Sequence, residues 1–143
     1  MTIIDANLLL YAYNEDAPQQ RAASQWLSKL LASGETIGLP WVTVWAFIRI
    51  STNSRIWPNP RPSREVFAIV SEWLAQPGVV PLHPGPLHAQ ILEKLVNDHG
   101  ATGPVVTGAV LAALAIEHGA RLASTDQDFR RFPDLRWLNP LGN

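Results

Sequence analysis

The spacing of apolar residues along this chain switches repeatedly between the period of a strand and that of a helix. Short apolar runs predict strands, and they fall at 2–5, 36–39, 79–81, 121–125 and 135–137. Between them, apolar residues recur three and four positions apart, which predicts helices at 7–13, 18–32, 40–53, 64–75, 86–98 and 104–118. Strands that alternate with helices are typical of an α/β sandwich in which helices flank a mostly parallel sheet.

Composition places the chain among ordinary globular proteins. It has 143 residues, of which 47% are hydrophobic and 16% charged, and no internal repeat or linker is evident, so one domain over 1–143 is expected. A net charge of −1 excludes a global electrostatic footprint for nucleic acid. The absence of cysteine excludes disulfides and thiolate metal sites. With no basic leader and no membrane-length apolar run, we expect a cytoplasmic protein with no membrane partner.

Two predicted strands end at an aspartate. Asp5 follows Ile3-Ile4, and Asp126 follows Ser124-Thr125. Ligands of parallel sheets bind outside the carboxyl ends of the strands, so neighbouring strands would direct both carboxylates into one cleft. Asp128, two residues further on, is close enough to contact the same cation or a bound water. The alternative for each aspartate is a local role, as a cap of the helix or turn that follows.

Carboxylates brought together in a cleft repel each other unless a cation or a shared proton compensates. Oxygen ligands with no cysteine nearby favour hard divalent cations, so Mg²⁺ or Mn²⁺ is the expected cofactor.

A basic segment lies between Arg49 and Arg64. It contains four arginines and no acidic residue, and its turn-forming residues predict a loop at 54–63. Arg49, Arg55 and the aromatic Trp57 have the composition of a surface that neutralises phosphates and stacks bases, which predicts RNA contacts. The alternative is a solvated loop whose arginines pair with Glu65 and Glu72.

Familiar catalytic motifs are missing. The chain has no GxGxxG, Walker loop, nucleophile elbow or HExxH, and its four histidines share no ligand spacing. The commonest nucleotide-binding and hydrolase sites of small α/β domains are therefore excluded.

Several segments together carry a family resemblance that spans nearly the whole chain. The segments 3–9 and 112–120, followed by 124–129, resemble PIN-domain nucleases, and within them the VapC toxins of bacterial toxin–antitoxin pairs. The likeness continues through 40–41, 47–53 and 136–137. This resemblance implies a PIN-like three-layer sandwich, Mg²⁺- or Mn²⁺-dependent endoribonuclease activity on RNA, a homodimer, and inhibition by a VapB-like antitoxin.

The resemblance also assigns roles to residues. It implies that Asp5 and Asp126 bind the metal, that Asp128 orients a water, and that Asn7 and Thr125 support them by hydrogen bonding. Another family acid usually opens the buried helix in the order Thr, Asp, Ala, His, Leu, whereas 107–111 reads Thr-Gly-Ala-Val-Leu and places Gly108 at that position. The family acid expected from the helix at 40–53 is also absent.

Three hypotheses follow. The first is an active VapC-like ribonuclease, and the second is a degenerate PIN module that binds RNA or an antitoxin without turnover, as Gly108 suggests. The third is an unrelated α/β hydrolase or phosphatase, which would be favoured if Asp5 and Asp126 lay on non-adjacent strands.

Overall fold

A computed structural model describes residues 1–142 and shows a sheet of five parallel strands. The strands are β1 (Thr2–Ile4), β2 (Ile37–Pro40), β3 (Val79–Leu82), β4 (Arg121–Ala123) and β5 (Arg136–Leu138). Their spatial order is β3-β2-β1-β4-β5, and the pairings between neighbours are parallel. The predicted α/β class and parallel sheet are confirmed.

Helices cover both faces of this sheet. They are α1 (Ala6–Ala12), α2 (Gln20–Ala32), α3 (Trp41–Ser51), α4 (Ser63–Ala75), α5 (His88–His99) and α6 (Val106–Glu117). Within residues 1–142, none of these helices is long and apolar enough to cross a membrane. The predicted single domain of 1–143 extends one residue beyond the described part.

Two apolar clusters, one on each face of the sheet, hold the three layers together. Helices α1 to α4 pack on one face around Ile4, Phe47 and Trp73, whereas α5 and α6 pack on the other around Ile3 and Leu122. Consecutive strand residues such as Ile3 and Ile4 point to opposite faces, so both must be apolar. The predicted three-layer sandwich is confirmed.

The strand order contains a reversal that positions the site. From β1 the chain proceeds outward through β2 and β3 on one side, and then crosses to β4 and β5 on the other. The switch point therefore lies between β1 and β4, where open α/β sheets form a ligand crevice at the carboxyl ends of their strands. Asp5 follows β1 and Asp126 follows β4 shortly after its last residue, so both flank this crevice.

Candidate active site

The carboxyl ends of β1 and β4 lie side by side. The register pairs Thr2 with Arg121 and Ile4 with Ala123, and the Asp5 amide donates to the Ala123 carbonyl at 3.0 Å. Asp5 and Asp126 therefore follow adjacent strands. This adjacency removes the observation that would have favoured an unrelated hydrolase.

The Ser124 hydroxyl links the two acidic strand ends. It donates to Asp5 Oδ2 at 2.7 Å and accepts from the Asp126 amide at 3.0 Å. The side chain is fully buried, and its backbone is held by the Leu138 carbonyl and by the Trp137 indole N–H. Ser124 was not predicted as a site residue, although its position two residues before Asp126 suits the serine-centred turn that links them.

The Asn7 side chain completes this network, and Thr125 joins it through its backbone. The Asn7 side-chain amide donates to Ser124 Oγ at 3.0 Å and to Asp5 Oδ2 at 3.3 Å. The Thr125 amide donates to Asn7 Oδ1 at 3.5 Å. The first turn of α1 is thereby tied to the segment after β4, which holds the two carboxylates in fixed relation.

Each of these two aspartates caps the element that follows it and is also joined to the other aspartate. Asp5 Oδ1 accepts from the Ala6 amide at 2.7 Å and caps α1, and Asp126 Oδ1 accepts from the Asp128 amide at 2.9 Å and caps the 3₁₀ turn Gln127–Arg131. The local roles considered from the sequence are therefore real. They do not exclude a shared site, because the Ser124 bridge also joins the two acids.

The pKa of Asp5 is raised above its ordinary value near 3.8. Burial has the largest effect and raises it, hydrogen bonds from Ser124 and Ala6 lower it, and the neighbouring negative charge of Asp126 raises it further. The two acids are thus close enough to repel, as the sequence argument required. A cation placed between them would relieve that repulsion.

The donor set fits one hard divalent cation. Mg²⁺ is commonly held by one or two carboxylates together with waters and substrate phosphates, which matches Asp5 and Asp126. Within residues 1–142, no group of three or more histidine and acidic side chains is placed to hold a metal ion. A two-metal arrangement therefore has no support from the described residues.

Asp128 and Gly108 line a cavity of about 130 Å³ that Asp126 also lines. The Asp128 carboxylate is 64% exposed and forms an ion pair with Arg131 at 3.9 Å. A Cβ atom at Gly108 would sit 3.6 Å from the Phe129 ring, at ordinary contact distance. A Cβ at position 108, in the first turn of α6, would therefore clash with no neighbouring group.

The predicted RNA-contact residues differ in their exposure. Arg49 and Arg55 are exposed, as a phosphate-binding role requires, and that role stays a prediction. Trp57 is only 7% exposed, so the expectation that its ring stacks on bases is wrong. The RNA role was inferred from the loop position of Trp57, but its large apolar ring is buried. Ile56 is an apolar residue of this loop that is exposed.

Arg61 follows the structural alternative considered for the basic segment. Its guanidinium donates to the Tyr13 carbonyl at 2.7 Å and pairs with Glu65 at 3.8 Å, which ties the loop after α3 to the end of α1.

Comparison with known proteins points to one family. The model of the PIN domain matches residues 2–135. Ribonuclease VapC31 of Mycobacterium tuberculosis is 41% identical over 98% of this chain and 99% of its own length. Ribonuclease VapC37 of the same species is 39% identical over 98% and 97%.

Solved structures agree at the level of the fold. VapBC2 from Rickettsia felis, bound to a promoter DNA fragment, has a TM-score of 0.71 at 17% identity and covers 96% of this chain and 97% of that one. A toxin–antitoxin complex from Klebsiella pneumoniae has a TM-score of 0.69 at 14% identity, with full coverage of both chains.

We predict that replacing Asp5 by Asn changes how stability depends on pH in metal-free buffer. Because the folded-state pKa of Asp5 lies above its unfolded value, ionisation weakens the folded state, and the wild type loses stability as pH rises through the folded pKa. As pH rises from mildly acidic to 8, the free energy of unfolding of the wild type should therefore fall relative to that of Asp5→Asn. Urea denaturation at each pH measures both values. The exposed Asp98→Asn is the matched control, and a difference that does not change with pH would contradict the prediction.

Proposed function

This chain belongs to the VapC proteins of the PIN-domain family, and on that basis we propose that it is a metal-dependent endoribonuclease toxin of a toxin–antitoxin pair. The observation that carries the proposal is the Ser124-bridged pair of Asp5 and Asp126 at the switch point of the sheet. Relatives that match over nearly their whole length are named ribonucleases, which supports RNA as the substrate.

Asp5 and Asp126 would hold the cation. When bound, Mg²⁺ or Mn²⁺ supplies positive charge beside the scissile phosphodiester and lowers the pKa of a water. Asn7 and Ser124 orient the Asp5 carboxylate through hydrogen bonds to Oδ2, so it needs little rearrangement to accept a ligand. Thr125 contributes through its backbone amide, which fixes the Asn7 side chain.

Arg49 and Arg55 are proposed to bind the RNA backbone. Both are exposed, and they belong to a segment with four arginines and no acid in a chain whose net charge is −1. Neutralising phosphates in this way supplies affinity that falls as salt rises. Contacts of this kind position the RNA without selecting its sequence.

An antitoxin of the VapB kind is the proposed partner. Structures that share this fold at TM-scores near 0.7 include VapBC complexes and a toxin–antitoxin complex. A short reading frame next to this one would encode the partner, and its product should co-purify with the chain and suppress RNA cleavage.

A homodimer is proposed from the family resemblance, and one apolar surface suits it. Trp45 is 65% exposed. Together with Trp41 and Val42 of α3 and Val110 and Leu114 of α6, it lines a cavity of about 510 Å³. Apolar patches of this kind on a small protein are typical of interaction sites.

A second candidate function is supported by Gly108. The family's usual acid is absent there, and loss of one metal's charge stabilisation would cost several kcal/mol, where each ~1.36 kcal/mol is tenfold in rate. A degenerate module would keep the fold and its partners without turnover.

We predict that the purified chain cleaves structured RNA in Mg²⁺ or Mn²⁺ and that EDTA abolishes cleavage. Asp5→Asn and Asp126→Asn should each lower the rate by at least about a hundredfold, because each removes half of the carboxylate charge that holds the cation. Cleavage is measured on a labelled RNA by gel electrophoresis, with Asp98→Asn as the control. Undiminished cleavage by Asp5→Asn would refute the assigned site.

Gly108→Asp separates the two candidate functions. The added Cβ meets Phe129 at ordinary contact distance, and position 108 lines the same cavity as Asp126, so we predict faster cleavage and a larger Mg²⁺-induced rise in melting temperature. If the parent chain is inactive and only this variant cleaves RNA, the non-catalytic alternative holds. Gly108→Ala, which adds a methyl group without charge, is the matched control.

We predict that Trp45→Glu converts the dimer to a monomer, since a charge at the centre of an apolar interface must be desolvated. Sedimentation velocity at several concentrations measures this. Phe67→Glu, at an exposed apolar residue of α4, is the control that should leave the dimer intact. A wild type that is monomeric at all concentrations would contradict the proposal.

A further inference from the structure

The absence of a side chain at Gly108 leaves open space at the edge of the candidate site. The cavity there has a volume of about 130 Å³ and is lined by Pro104, Val105, Gly108, Asp126, Asp128, Phe129 and Phe132. A Cβ at Gly108 would come within 3.6 and 3.7 Å of two Phe129 ring atoms, so glycine leaves a gap in front of a ring that is otherwise buried. The cavity is large enough for a planar heterocyclic ring and continues up to Asp126.

Two buried aromatic rings form the floor of this cavity. Phe129 and Phe132 are each 3% exposed, and their ring centroids lie 6.5 Å apart at an interplanar angle of 52°. Pro104 lies in the 3₁₀ turn Gly103–Val105, which leads directly into α6. A base that enters the cavity would pack on Pro104, which is exposed, and on Val105, which is half-buried, above this buried floor. Little ordering of these side chains would be needed.

The polar side chains of the cavity are both hydrogen-bond acceptors. Its only charged or polar lining side chains are the carboxylates of Asp126 and Asp128. Asp126 Oδ1 already accepts from the Asp128 amide, and Asp126 is a proposed cation ligand. Asp128 is the carboxylate left to bind a ligand, because its partner Arg131 is 3.9 Å away, beyond hydrogen-bond distance, and also donates to the His99 and Gly100 carbonyls.

A pair of carboxylate acceptors distinguishes guanine from the other three RNA bases. Guanine presents N1–H and an exocyclic amino group side by side, so both oxygens of one carboxylate can accept from it. Adenine and cytosine place a ring acceptor beside their amino group, and uracil flanks its single N–H with two carbonyl oxygens, so each would bring an acceptor against a carboxylate oxygen. Single-stranded RNA is commonly read along this edge of the base, with the ring packed on aromatic or apolar side chains.

We propose that the cavity beside Gly108 is a subsite for a guanine base of single-stranded RNA, with Asp128 as the residue that selects it. This inference rests on the proposed ribonuclease function, since it places the base of a nucleotide near the phosphate that would be cleaved. Asp128 then acts as a specificity residue, and the accessible side chains of Pro104 and Val105 pack against the base.

The test is nucleoside binding to the full chain, measured by NMR chemical-shift titration without divalent cations. Guanosine is expected to bind at least about tenfold more tightly than adenosine, cytidine or uridine, with the largest shifts at the Gly108 amide and the Phe129 ring. Inosine, which lacks the amino group, should bind with intermediate affinity. 1-Methylguanosine, which lacks the N1–H, should bind no better than uridine.

Three variants assign the binding to this cavity. Asp128→Asn replaces one acceptor oxygen by a donor and should remove the preference for guanosine, whereas the exposed Asp98→Asn should keep it. Gly108→Leu fills the cavity and should abolish binding of every nucleoside. Gly108→Ala, whose methyl group fits at contact distance from Phe129, should weaken guanosine binding only in part and controls for effects on folding.

The outcomes separate this inference from the proposed function. Guanosine binding that is lost in Gly108→Leu supports the subsite even if no RNA is cleaved. The subsite is overturned if the chain cleaves RNA but binds guanosine no more tightly than the other nucleosides. It is also overturned if neither Asp128→Asn nor Gly108→Leu alters guanosine binding. Both outcomes leave the ribonuclease proposal untouched.

Discussion

The parallel pairing of β1 with β4 determines where every acidic group of the site lies. These strands are short, and their register places the Asp5 amide on the Ala123 carbonyl, one residue before Ser124. Side chains in a strand alternate between the two faces of the sheet, so a shift of the pairing register by one residue would move every side chain of the strand to the opposite face. The register is held from both sides, because Ile3 and Leu122 belong to one apolar cluster and Ile4 and Ala123 to the other.

Most of the fold could be predicted from the period of its apolar residues. Every predicted strand and helix is present, and the differences lie at the ends. The helix predicted from Pro18 begins at Gln20, and the one predicted from Pro104 is preceded by a 3₁₀ turn. Proline is compatible with a first turn of either kind, so it marks the neighbourhood of a helix start without fixing the first hydrogen bond.

The acidic residues of the site could be predicted from the sequence, whereas the hydrogen-bonding and aromatic residues around them were harder to predict. Asp5 and Asp126 were identified because they recur at strand ends, which is a pattern in one dimension. The role of Ser124 depends on hydrogen bonds to residues that are 117 and 119 positions away, and no local signal carries that information. Trp57 shows the opposite error, because a loop rich in proline and arginine does not reveal that its one aromatic ring turns inward.

The open space at Gly108 has an evolutionary consequence. A glycine codon that ends in a pyrimidine becomes an aspartate codon through one base substitution, and a Cβ at this position meets nothing closer than 3.6 Å. The first step toward a fuller set of acids therefore requires no compensating change elsewhere in the core. A lineage carrying this glycine is therefore one base substitution away from an acid at position 108, and the added Cβ meets no clash.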